Sequence, residues 1–447
     1  MKQITLKLII KLMKKVLLIV DNPHREMRGM VAIFKRLKKK NFFTHIVSKS
    51  ALNDWFTILN PDLVVLPRAT ATFMQFIKKN HMNTKIVIIP SEHGSNFKNK
   101  VLANIFGLSF IQDRKINSAI DLASLILVGG ENQKNWIVST MPKLLDKVKI
   151  VGTLSSDHWL KPKKKKIGNN KIGICTTFKS LFLSTKFLSP HKLLYDHLSV
   201  DYKSNQWRLK TSNFEQHYLS VLFEAIDKMT KAGYNVDIRP HPHENFEGWK
   251  YWLKFTKNKK NITLNRDVDI TKWIDSKSAC ITSFSTTSLD CIARGVPAIS
   301  LEKLVADQAV SLPEFKKQLT GEYSWSPSSL EKMMDLIEKA KNGTLNISPN
   351  IESADNFMRD NFYWPRDNST ATLCVNEIFN LLSKKTLKKK RSLKFLIKIP
   401  VILLKIIFRD LRDYYSGPRR SRRSNLLFIF SFRIWYSSLK FNKDLNV

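Results

Sequence analysis

Residues 16–20 read VLLIV, an unbroken apolar run ending on Asp21, and a stretch of helical character from 25 to 40 follows it. The pairing recurs at 45–47 then 52–59, and at 62–66 then 71–80. A run at 85–90 leads into a polar SEHG at 91–94, and runs at 125–128 and 148–151 flank a helix at 131–140. A strand that is apolar at every position must be covered on both faces, which is the condition of a parallel sheet. Parallel neighbours cannot be joined by a tight turn, so each needs a crossover, here a helix. Residues 14–159 therefore read as one doubly wound α/β domain behind a short N-terminal extension, 1–13. The stretch 160–170, LKPKKKKIGNN, carries Pro, Gly and Lys without apolar periodicity and reads as a linker. Beyond it the alternation resumes. Strands are expected at 171–176, 236–239, 262–264, 279–282 and 298–301, with helices at 214–232, 249–255, 286–293, 329–341 and 370–382. That makes 171–383 a second Rossmann-like domain. Two open α/β domains imply a cleft between them, lined by the carboxyl ends of their strands, where ligands of such sheets bind.

Charge is the compositional anomaly: 75 Lys+Arg face 37 Asp+Glu, a net of +38. A hydrophobic content of 43% with 11% aromatics excludes a disordered polycation. The charge is also uneven. Residues 384–447 hold 18 Lys and Arg against Asp410, Asp413 and Asp444, a net of +15. Placed on a helix at about 100° per residue, Arg391, Lys394, Lys398, Lys405, Arg409 and Arg412 share one arc of roughly 60°. Leu396, Ile397, Leu403, Leu404 and Ile407 lie away from it, although Pro400 interrupts the pattern. A basic face beside an apolar one suits an anionic membrane surface; the apolar face has no use on nucleic acid. No run of 18 apolar residues occurs, so no membrane span is expected. Lysines at 2, 7, 11, 14 and 15 interrupt any signal-peptide core, and Cys175, Cys280, Cys291 and Cys374 form neither a C-x-x-C pair nor a zinc spacing. These features predict a cytoplasmic protein, peripheral on the inner face of the membrane, with buried free thiols.

Two motifs sit at expected strand ends. Arg239-Pro240-His241-Pro242-His243-Glu244 leaves the strand at 236–239 with prolines fixing the backbone on both sides of His241. A guanidinium and an imidazole there suit an anionic ligand, since Arg holds phosphate in bidentate fashion; a rigid turn is the plain alternative. A metal held by His241, His243 and Glu244 would need further ligands, and no such cluster appears. Ser283-Phe284-Ser285-Thr286-Thr287-Ser288 opens the helix at 286–293, where hydroxyls cap backbone N–H groups and phosphate is attracted. An N-cap alone needs one hydroxyl, and this segment has five. Asp290 and Arg294 lie on that helix, and Glu302 ends the next strand as a candidate partner for a ribose. In the first domain Glu92 and His93 follow the fourth strand as candidate bases. There is no G-x-G-x-x-G after a strand and no P-loop, which removes support for NAD binding and a P-loop ATPase, and the lack of a G-x-S-x-G elbow weakens a hydrolase reading.

RPHPHE followed by SFSTTSLDCIARGVPAISLE, together with KKVLLIVD, IIPSEHG and VKIVGTLSSDHW, resembles bacterial surface carbohydrate (polysaccharide) biosynthesis proteins with a GT-B-like glycosyltransferase fold. The His-Pro and Ser/Thr pair is also similar to that of sialyltransferase-like and CDP-glycerol glycerophosphotransferase-like enzymes. The resemblance implies donor-phosphate contacts for His241, Ser285, Thr286 and Thr287, to which Arg239, Ser288, Asp290 and Glu302 are added as nucleotide-sugar-binding candidates. It implies chemistry with no bound metal and no cofactor beyond the nucleotide-sugar donor. Relatives show Thr-Glu-Gly after the fourth strand, where this chain has Ser91-Glu92-His93-Gly94. The expected activity is transfer of a sugar from a nucleotide sugar to a surface polysaccharide or lipid-linked glycan, with Glu92, His93 and His241 as catalytic candidates. A nucleotide-sugar epimerase, or a non-catalytic carbohydrate-binding protein, on the same fold are the alternatives.

Overall fold

In the computed structural model, which describes residues 13–21, 23–49, 52–67, 71–89, 120–160, 169–178, 202–241, 244–266, 270–282, 285–306 and 323–383, the first apolar run forms strand β1 (Lys15–Val20). There follow α1 (Pro23–Lys39), β2 (Phe43–Ser48), α2 (Leu52–Leu59), β3 (Leu63–Leu66), α3 (Ala71–Asn80), β4 (Lys85–Ile88), β5 (Leu125–Val128), α4 (Glu131–Thr140) and β6 (Val148–Ile150). The six strands are parallel in the order β2-β1-β3-β4-β5-β6. Alternation along each strand sorts the unbroken apolar runs into two cores. Leu17, Ile19, Val64, Leu66, Ile86 and Ile88 join Phe56, Met74 and Ile137 on one face. Val16, Leu18, Val20, Leu63, Val65 and Val87 join Met30, Ile33 and Leu37 on the other. At about 1.5–3 kcal/mol for each fully buried aliphatic side chain, neither face can be left to solvent.

The second set of elements comprises β7 (Lys171–Cys175), α5 (Tyr202–Lys231), β8 (Asn235–Arg239), α6 (Phe246–Phe255), β9 (Ile262–Leu264), α7 (Ile270–Ile274), β10 (Ala279–Thr282), α8 (Thr287–Arg294), β11 (Ala298–Ile299), α9 (Glu302–Ala306) and α10 (Leu330–Lys341). The sheet is again parallel, in the order β11-β10-β7-β8-β9. Helix α5 lays Phe214, Tyr218, Leu222, Ile226 and Met229 along one stripe against Ile172, Ile174, Val236 and Ile238. On the opposite face Gly173 is required by close packing: a Cβ there would lie 2.6 Å from Trp273 Cη2 and 2.9 Å from Cys280 Sγ.

The chain divides into two compact units, one of residues up to 157 together with those from 359 onward, the other of residues 158–358. This corrects one expectation. The helix foreseen at 370–382 as the close of the second domain is α12 (Thr370–Ser383), and it belongs to the first unit. Helix α11 (Ile351–Phe362) carries the chain back, and Ala371, Cys374, Val375 and Ile378 of α12 fill the same core as Val16 and Leu18. Arg36 Nε donates to Thr372 Oγ1 at 2.9 Å and Lys85 Nζ to the Leu381 carbonyl at 2.8 Å. The start of α12 is fixed by Asp157, whose carboxylate accepts from Arg366 Nη2 (2.8 Å), Thr370 N (2.7 Å) and Ala371 N (3.2 Å), a favourable placement of an anion at a helix N-terminus. An apolar helical stripe fits either sheet, and only packing selects one. The passage between units falls at 157/158, ahead of the expected linker, of which 161–168 lie outside the described residues, as does the basic tail 384–447. Among the described residues no helix is long and apolar enough to cross a membrane.

On strand β2, His45 packs against the Phe43 ring at 4.7 Å and the Trp55 ring at 6.2 Å, with its Nε2 buried and unpartnered among the described residues. Burial, and then the charge of Lys15, lower its pKa. A His whose pKa is depressed in the folded state binds fewer protons there than in the unfolded chain, so stability rises with pH. The His45 contribution is complete above its unfolded value of about 6.5 and is lost as pH falls below it. His45→Phe is expected to flatten the dependence of Tm on pH between about 5 and 7, read as the difference between the two proteins' melting curves. Gly173→Ala is expected to destabilise by about 1–3 kcal/mol in urea unfolding, the range for overpacking a filled core.

Candidate active site

Strand β7 is central in the second sheet, flanked by β8 and β10, and helices leave β7 and β10 toward opposite sides of the strand order. That is the topological switch point at which open α/β sheets bind ligands. The registers Cys175↔Arg239 and Thr282↔Cys175 set the ends of β8, β7 and β10 side by side. With strands about 4.8 Å apart, the two motif loops start roughly 10 Å from each other across β7. The sequence motifs thus emerge at one edge of one sheet.

Cys175 shows what meets there. It is fully buried, and desolvation raises its pKa above the ordinary thiol value. The neighbouring thiol of Cys280 and the carboxylate of Asp290 push the same way. The positive charge of Arg239 and a hydrogen bond from Thr287 oppose them. Arg239 from one motif and Thr287 and Asp290 from the other therefore converge on the end of β7. Ser285 organises the start of α8: its Oγ accepts from Thr287 N at 3.2 Å and lies 2.9 Å from Thr287 Oγ1, while Ser288 Oγ donates to the Ser285 carbonyl at 3.0 Å. Thr286, at the N-cap position, is exposed and makes no side-chain cap. Ser285, Thr287 and Ser288 are thus largely turned to one another, and Thr286 is the hydroxyl presented to solvent. Ser283 and Phe284 lie outside the described residues.

The His241 loop is held by a residue that the sequence offers only as a metal ligand. Glu244 is fully buried. Its carboxylate accepts from Thr176 Oγ1 at 2.7 and 3.0 Å, from Phe178 N at 2.8 Å and from Trp249 Nε1 at 2.8 Å. Its own N–H donates to the His241 carbonyl at 2.8 Å. Burial raises the carboxyl pKa, and these donors counter the rise. Glu244 therefore ties the loop to the segment after β7 and to α6, leaving half-buried His241 at the rim. Three donors converging on one carboxylate occupy it as an anchor, not as a metal ligand. His243 is outside the described residues.

The other candidates go elsewhere. Asp290 Oδ1 accepts from Trp159 Nε1 at 2.6 Å and lies 2.9 Å from His158 Nε2, so Asp290 tethers the segment leading into the second unit to α8. Arg294 is buried at the far end of α8 and pairs with both oxygens of Asp275 at 2.8 Å. A cation there complements the carboxyl end of a helix, not its phosphate-binding start. Glu302 opens α9 near Tyr218, whose hydroxyl pKa is raised by burial and then by the Glu302 charge. Glu92 and His93 lie outside the described residues.

No family model matches the chain, and no curated protein matches it in sequence. Its fold has solved counterparts. A crystal structure assigned as a UDP-N-acetylglucosamine 2-epimerase of Listeria monocytogenes aligns with TM-score 0.50 and 12% identity, covering 85% of this chain and 100% of that one. A UDP-GlcNAc 2-epimerase of Methanocaldococcus jannaschii aligns with TM-score 0.49 and 12% identity, over 83% and 100% of the two chains. The wall teichoic acid polymerase TagF aligns with TM-score 0.48 and 11% identity, over 86% and 96%. The first likeness shows the fold: two parallel-sheet α/β units of the GT-B type.

Removing Glu244 strands three buried donors at about 1–3 kcal/mol each. Glu244→Ala is expected to lower unfolding stability by roughly 3 kcal/mol or more, and Glu244→Gln by less, in denaturant titrations.

Proposed function

We propose that the chain is an enzyme that binds a nucleotide sugar at the carboxyl edge of its second sheet and transfers the sugar to a surface polysaccharide or lipid-linked glycan. The observation that carries this reading is the convergence of the Arg239–His241 strand end and the hydroxyl-lined start of α8 on the end of β7. A guanidinium, an imidazole and the exposed Thr286 hydroxyl within one edge form a set of donors suited to a phosphate. In transfer, the bond between the sugar's anomeric carbon and the phosphate oxygen breaks as the acceptor oxygen bonds to that carbon. Negative charge grows on the departing nucleotide, where Arg239, His241 and the α8 start stabilise it at low reorganisation cost. In this reading no bound metal is required. The acceptor hydroxyl loses its proton to a base, for which Glu92 and His93 are the candidates. The basic tail, 384–447, is proposed to hold the protein on the cytoplasmic face of an anionic membrane.

Epimerisation of the nucleotide sugar is the second reading, and likeness to a structure assigned as a 2-epimerase supports it. The two differ in product: incubation with UDP-GlcNAc alone yields the 2-epimer in one case, and free nucleotide appears only with an acceptor in the other.

Calorimetric titration with CMP-, CDP-, UDP- and GDP-sugars is expected to find one nucleotide class that binds. Arg239→Ala and His241→Ala should each weaken that binding about tenfold or more, a loss of about 1.4 kcal/mol. His241→Ala should lower turnover by about 100-fold, as for loss of one oxyanion donor. Absence of binding across the panel would sink the proposal.

A further inference from the structure

Helix α6 has two faces that both bury or present aromatic rings, and only one of them is covered. Trp249 is fully buried, and Trp252 and Leu253 pack against the second unit's core. On the outward side Tyr251 is 64% and Phe255 70% exposed, one turn apart, with ring centroids 5.0 Å from each other. An exposed aromatic ridge of this kind costs free energy in water and marks a contact surface. Its setting is cationic. Residues 246–260 contain five lysines and a single acid, Glu247, a net of +4. Glu247 is taken by Lys250 at 3.1 Å, while Lys254, Lys257, Lys259 and Lys260, on α6 and in the five residues after it, are all exposed.

We propose that this outward face of α6 docks on an anionic membrane surface, with Tyr251 and Phe255 entering the headgroup layer and the lysines meeting lipid phosphates. Aromatic rings favour the interface between water and hydrocarbon, and lysines snorkel to the headgroups while their stems lie on apolar surface. Charge complementarity selects an anionic bilayer over an apolar protein partner, since a segment of net +4 with four exposed lysines repels a second copy of itself. The position gives the contact a use. Helix α6 begins five residues after His241 and spans about 15 Å, and Glu244 and Trp249 lock it to the His241 loop. Docking here would hold the proposed phosphate-binding edge close to the bilayer, where a lipid-linked acceptor resides. The contact itself stands on the surface alone; this use of it rests on the nucleotide-sugar reading.

The four native cysteines are all buried, so a thiol introduced by Phe255→Cys can be labelled selectively with an environment-sensitive fluorophore on the full-length chain. Labelling Ile351→Cys, 46% exposed in the same unit, gives the control. Phosphatidylcholine vesicles containing phosphatidylglycerol are expected to blue-shift the label at 255 and leave the one at 351 unchanged. The shift should fade with added salt and with pure phosphatidylcholine. Replacing Lys254, Lys257, Lys259 and Lys260 together by Glu should raise the lipid concentration at half-shift about tenfold or more. Because the readout is local, binding through any other part of the chain does not mimic it. No shift at 255, an equal shift at 351, a shift that appears with protein concentration alone, or one produced by duplex DNA and not by vesicles, each overturns the proposal. Nucleotide-sugar titration of the same labelled protein separates the two readings: a shift without nucleotide binding leaves the membrane contact and removes the enzymatic reading, and the converse does the opposite.

Discussion

Burial of each sheet on both faces is the constraint from which the other features follow. A parallel strand covered above and below has its side chains committed to packing along its whole length, so chemistry is confined to what leaves its ends. In the second unit this places Arg239, Cys175 and Thr282 in one row. The same constraint explains why Gly173 occurs within an otherwise apolar strand: Trp273 occupies the space a side chain would need.

Several polar groups near that edge hold it in shape. Glu244 secures the His241 loop to the end of β7. Asp290 secures the segment at 158–159 to α8, and Arg294 with Asp275 closes the helix at its other end. Each is a charged group taken largely out of water and met by at least two hydrogen bonds, the condition under which such burial is tolerated. The candidates for a ligand narrow to Arg239, His241 and Thr286.

The strands were legible in the sequence because an all-apolar run has few alternatives, and the helices because their stripes are periodic; the strand at 262–264 and the helix at 131–140 fall where the pattern puts them. Short helices such as Ile270–Ile274 escaped because five residues hold too little periodicity to read. Helix α5 begins at Tyr202, twelve residues before the apolar stripe that opens at Phe214. In the candidate site the strand-end motifs were readable, but the roles within them were not. A glutamate beside two histidines has the composition of a metal ligand until the donors around it are known.

The order of apolar runs and the helices between them by itself pointed to two parallel α/β sheets, because strands apolar at every position need cover on both faces and crossover helices supply it. Only the tertiary structure decided which sheet receives the last helix, which acids and arginines are spent on holding the fold, and which aromatic residues of α6 face outward. Those outcomes depend on contacts between residues far apart in the chain, and a helical stripe or a charged side chain carries no mark of the partner it will meet.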